Sequence, residues 1–132
     1  MSDGAGEVVE IGGGVTRFRV GDRVAGILVQ TWICGEITHQ KMKEDLGGCL
    51  DGMLSEYVVL SEEGLVLLPA HLTYEEGATL PCAAVTAWNA LVTRGGLTSG
   101  ETVLVLGTGG CFSLCHTTGQ IVWRSSYRDL QL

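Results

Sequence analysis

The chain is poor in basic residues, with only 8 Lys and Arg against 15 Asp and Glu among 132 positions and a formal net charge of -7. No Lys or Arg cluster is present to neutralise a phosphate backbone or an anionic membrane surface, so nucleic acid is excluded as an expected partner. Long apolar runs are missing too. None approaches the roughly 20 residues that cross a bilayer, and Met1-Ser2-Asp3-Gly4 has neither the basic nor the apolar region of a signal peptide. A cytoplasmic protein without a membrane partner is therefore expected. Cysteine is irregular: Cys34, Cys49, Cys82, Cys111 and Cys115 are an odd number at uneven spacings, which argues for reduced thiols rather than a disulfide framework. Neither an internal repeat nor a low-complexity segment is visible.

What is present suits a globular chain, 45% hydrophobic and 17% charged. Glu7 to Ile11 is rich in β-branched residues and ends at Gly12-Gly13-Gly14, which predicts a strand entering a turn. Val15 to Val20 repeats the pattern, and Gly21-Asp22 leads into Arg23 to Ile27. Such short strands with turn punctuation predict an antiparallel barrel or sandwich. The strand pattern is already under way by Gly4 to Ile11, as if the chain were joined in the middle of a fold. Residues 30–45 read as a surface loop, Met53 to Leu60 as a further strand, and Val66 to Leu68 as a last short one before Pro69.

The pattern changes at His71. Thr73 with Glu76 three residues later has the capping-box spacing, so a helix is expected to start there and to be limited by Pro81. Ala83 to Leu91 predicts a second helix. After the glycines at 95, 96 and 100, Thr102-Val103-Leu104-Val105-Leu106 reads as an apolar strand buried on both faces of a parallel sheet, so the overall fold class is α/β.

That strand runs into Gly107-Thr108-Gly109-Gly110, the setting in which a dinucleotide pyrophosphate approaches backbone amides at a helix N-terminus. The full G-x-G-x-x-G pattern needs a small residue at position 112, where Phe112 stands, and no ribose-selecting residue follows about 20 positions on. A strand that simply ends in a glycine turn is the other reading of the same residues.

Taken together, Ser2 to Val9, Val15 to Val24, Leu46 to Leu60, Ala78 to Leu91 and Val103 to Gly110 resemble, in order, the medium-chain dehydrogenase/reductase superfamily, and within it the zinc-type alcohol dehydrogenase and quinone reductase relatives. The branch lacking zinc is the better likeness. The resemblance implies a GroES-like β-barrel joined to a Rossmann domain, with NAD(P)H passing hydride to a carbonyl, an alcohol or an activated double bond. It divides the chain into a partial GroES-like barrel over residues 1–72, linking helices with the first Rossmann strand and glycine loop over 73–110, and a tail over 111–132. On this plan the chain is truncated at both ends. Thr86 matches the threonine on the nicotinamide side, and Gly107, Gly109 and Gly110 match the phosphate-binding loop. Cys82 stands where zinc-dependent members keep a ligand, but a metal needs several convergent groups. No metal site is expected, Cys82 reads as a small buried thiol, and Cys34, His39 and His71 read as loop residues.

After Gly110 the helical pattern expected of the family collapses into Cys111-Phe112-Ser113-Leu114-Cys115-His116 and Thr117-Thr118-Gly119. Reverse translation of Cys111 to Leu132 followed by a one-nucleotide skip permits V-S-L-F-A-I-Q-L-A-K, two ambiguous residues, and then G-A-R-V-I-A-T-S-S. That string has an amphipathic helix, a terminal glycine and a β-branched strand. The tail is therefore read as out of frame and poorly ordered, and its Cys111, Cys115 and His116 as an accidental metal-like spacing. In the restored frame a serine, not an acid, ends the second strand, which favours NADP over NAD.

The implied function is that of a fragment of an NAD(P)-dependent oxidoreductase, inactive as written, whose intact relatives act on a small-molecule substrate. NADP or NAD is the implied cofactor of the intact protein, and this chain is expected to bind none. No catalytic residue can be named, and the oligomeric state stays open. A non-catalytic GroES-like interaction module and a zinc-dependent alcohol dehydrogenase fragment retaining Cys82 are the two other readings.

Overall fold

Arg23-Val24-Ala25-Gly26 finds hydrogen-bonding partners on both sides, which makes it the centre of a three-stranded antiparallel sheet. The computed structural model describes residues 1–106 together with Gly109, Gly110, Ser113 and Leu114. Strand β2 (Arg23–Gly26) pairs with β1 (Ala5–Glu7), placing Ala5 opposite Ala25 and Glu7 opposite Arg23. On its other edge it pairs with β3 (Leu65–Leu67), with Val24 opposite Leu67 and Gly26 opposite Leu65. The chain forms two units, Met1–Cys82 and Ala83–Leu132, and the sheet lies in the first.

Being central, β2 is also the most buried strand. Val24 and Ala25 join Phe18, Val29, Leu46 and Leu68 in the core of this unit, each larger apolar side chain contributing roughly 1.5–3 kcal/mol on burial. Gln30 is buried among them. Its Nε2 donates to the carbonyls of Ile27 at 2.6 Å and Gly64 at 3.2 Å, and the Gly64 carbonyl also accepts the Ile27 amide at 2.9 Å. A side chain at position 64 would run into the Gln30 amide, which would have to move to admit it.

Four strand expectations need correction. The first strand is Ala5–Glu7 rather than Glu7 to Ile11. The Val8 amide donates to Asp22 and the Gly21 amide to Val8, so the ladder closes at Val8 through a turn in which Gly21 takes φ +91°. Val15 to Val20 forms no strand, because the amides of Thr16 and Arg17 donate to the Glu62 carboxylate at 2.9 and 2.7 Å instead of to a neighbouring chain. Met53 to Leu60 forms no strand, and residues 54–59 are all exposed. Among the described residues its one ladder-like bond is Met53 amide to Met1 carbonyl at 2.9 Å, and Leu54, Tyr57 and Val59 are exposed. Thr102 to Leu106 likewise belongs to no strand, and Leu104 and Leu106 are 82% and 73% exposed rather than sandwiched. A strand exists only as half of a ladder, and no described residue supplies the other half.

Other expectations stand. Arg23 to Ile27 and Val66 to Leu68 shift by no more than a residue at each end, and residues 30–45 form a loop with one short 3-10 turn at Lys41–Glu44. Helix α1 (Tyr74–Ala78) starts at Thr73 with a complete capping box. It rests on the sheet: a Cβ on Gly77 would lie 2.7 Å from Leu68 Cδ1, and the Arg23 guanidinium sits 4.4 Å from the centre of the Tyr74 ring while donating to the Leu72 carbonyl at 2.7 Å. Pro81 has no amide hydrogen, and the chain around it opens into a wide π turn, Leu80–Ala84, before α2 (Val85–Trp88) and a second π turn, Asn89–Arg94. Among the described residues no helix is long and apolar enough to cross a membrane.

Candidate functional site

The glycines at 107–110 and Thr86 are the positions singled out for a dinucleotide. Gly107 lies outside the described residues. Gly109 and Gly110 are exposed, and the Gly109 carbonyl accepts the Ser113 amide at 3.0 Å, an i to i+4 bond of the helical kind. Among the described residues, a Cβ built on Gly110 would meet nothing within 4 Å.

Thr86 sits on α2, exposed, next to the fully buried Ala87, with Val85 and Trp88 also turned outward. No hydrogen bond among the described residues joins Thr86 to Gly109 or Gly110. Further along, described residues of this unit line an open depression of about 400 Å³, formed by Ala90, Leu91, Gly95, Leu97, Glu101, Thr102 and Val103. The turn that builds its rim is closed by Glu101, whose carboxylate accepts the Thr98 amide at 2.6 Å, and by the Leu97 amide donating to Leu91 at 2.9 Å. Glu101 was not singled out by sequence reasoning; Thr98-x-x-Glu101, a second capping-like spacing, was the signal available.

Zinc fits the described residues poorly. Among the described residues no three His, Cys, Asp or Glu side chains converge as a metal site would require. Cys82 lies half-buried in the π turn after α1, while Cys34 and Cys49 are exposed, and His39 and His71 lie exposed in loops. Lys41 closes the loop carrying Cys34, donating to the carbonyls of Cys34 at 2.7 Å and Glu36 at 3.0 Å. Nor is Cys49 activated as a nucleophile. Its amide, 2.9 Å from Asp45 Oδ1, holds the Asp45 carboxyl below its ordinary range, and hydrogen bonding to that carboxylate, followed by its charge, pushes the Cys49 thiol up.

The Glu62 clamp also escaped the sequence reading. Its carboxyl is held below the ordinary glutamate range by the amides of Arg17 and then Thr16, and the Arg17 guanidinium returns to the Glu62 carbonyl at 2.9 Å and to Glu63 at 3.1 Å. A separation of 45 residues hides such a partnership from any local pattern.

The alcohol dehydrogenase GroES-like domain family matches residues 1–70, the span that contains all three strands. The chain belongs to the medium-chain dehydrogenase/reductases. A zinc-type alcohol dehydrogenase-like protein of Schizosaccharomyces pombe is 44% identical to this family member over 111 residues, covering 83% of this chain and 32% of that protein. A Sinorhizobium meliloti 1021 crystal structure assigned to the alcohol dehydrogenases is 43% identical, with a TM-score of 0.85 over 92% of this chain and 37% of its own. An NAD-dependent alcohol dehydrogenase structure is 32% identical, with a TM-score of 0.75 over the same 92%. The chain spans 32% and 34% of the length of two of the curated relatives it matches. For this member of the superfamily the GroES-like domain is the matched part, over residues 1–70.

Proposed function

We propose that this chain derives from an NAD(P)-dependent oxidoreductase of the alcohol dehydrogenase-like family, acting in the cytoplasm on a small-molecule carbonyl, alcohol or activated alkene. With Phe112 in its glycine loop, it holds the dinucleotide weakly and transfers no hydride. The observation that carries the reading is the family match over the sheet, continued by an apolar segment that runs directly into Gly107-Thr108-Gly109-Gly110. In such a protein the dinucleotide supplies the hydride, while the protein binds and orients it and keeps water away. Here Gly107, Gly109 and Gly110 are the residues assigned to the pyrophosphate and Thr86 to the nicotinamide side.

Weak binding follows from the surroundings of the loop. Phe112 occupies the position that needs a small side chain, and the segment before the glycines has no ladder partner among the described residues to hold the amides in place. Titrating NADPH and NADH while following tryptophan fluorescence tests this. The expected result is no saturable quench in the micromolar range, and saturation there would overturn the reading.

The tail at 111–132 is proposed to be out of frame, with a ribose site in the restored frame that favours NADP. Reading the genomic and transcript sequence across the Gly110 codon decides the matter. An uninterrupted frame that encodes the present tail in both would remove this part of the proposal.

One observation favours a second reading, a non-catalytic barrel module: Met1–Cys82 forms a unit with its own sheet and core. A monomer that unfolds cooperatively and does not aggregate would favour the module.

A further inference from the structure

We draw no further inference here: the strongest candidate, the exposed apolar patch of Leu54, Tyr57 and Val59 on the segment that follows the Asp51-Gly52 turn, carries nothing because nothing in the structure shows what covers it.

Discussion

Thr73 and Glu76 cap one another across the first turn of α1. The Thr73 hydroxyl accepts the Glu76 amide at 3.2 Å, and the Glu76 carboxylate accepts the Thr73 amide at 2.9 Å. With only five residues, α1 has little cooperative strength of its own, so its start depends on satisfying these donors. Thr73→Ala is expected to lower stability by about 1 kcal/mol and Thr73→Ser by much less, measured as the shift in a urea unfolding midpoint. Equal losses for the two variants would mean that the hydroxyl is not the capping group.

Gly77 is where α1 meets the sheet. An added methyl would press on both δ-methyls of Leu68, each 2.7 Å away, and Leu68 is itself buried. Overpacking of this kind costs about 1–3 kcal/mol, against which alanine recovers about 1 kcal/mol of helix propensity. Gly77→Ala should therefore destabilise the chain on balance. The same change in a Leu68→Val background should cost less. A stabilising Gly77→Ala, read from the same unfolding curves, would show that the helix can lift away from Leu68 freely.

Acid should weaken the clamp between Glu62 and the 16–17 backbone. Because hydrogen bonds from the amides of Arg17 and Thr16 depress the folded-state pKa, the unfolded state takes up the proton more readily. The resulting stabilisation is present above the ordinary glutamate pKa and is lost as pH falls through the lower folded value. Glu62→Gln keeps an acceptor but removes the titration, so its stability should respond less to acidification over that window than the parent's. Identical slopes in unfolding experiments across that window would contradict the clamp.

Local chemistry was legible wherever the partners lie within a few residues. Thr73-x-x-Glu76 announced its capping box, Pro81 its interruption of the helix, and Gly21-Asp22 the turn into the central strand. The family resemblance was readable for a related reason, since several short motifs in fixed order identify a fold even when none of them alone does. Glu62 reaching Thr16 and Arg17, or Arg23 lying over Tyr74, left no trace in the sequence, because each pair meets only after the chain has folded back on itself.

Composition, turn residues and capping residues by themselves determined that this chain is acidic, built from short strands, and switches at His71 to helices. Which apolar segments became strands was a tertiary decision. Arg23–Gly26 has ladder partners on both edges and lies in the sheet, while the apolar-rich Met53 to Leu60 and Thr102 to Leu106 belong to no strand among the described residues. The physical reason is that a helix meets its hydrogen bonds within its own segment, whereas a strand must borrow half of them from another part of the chain.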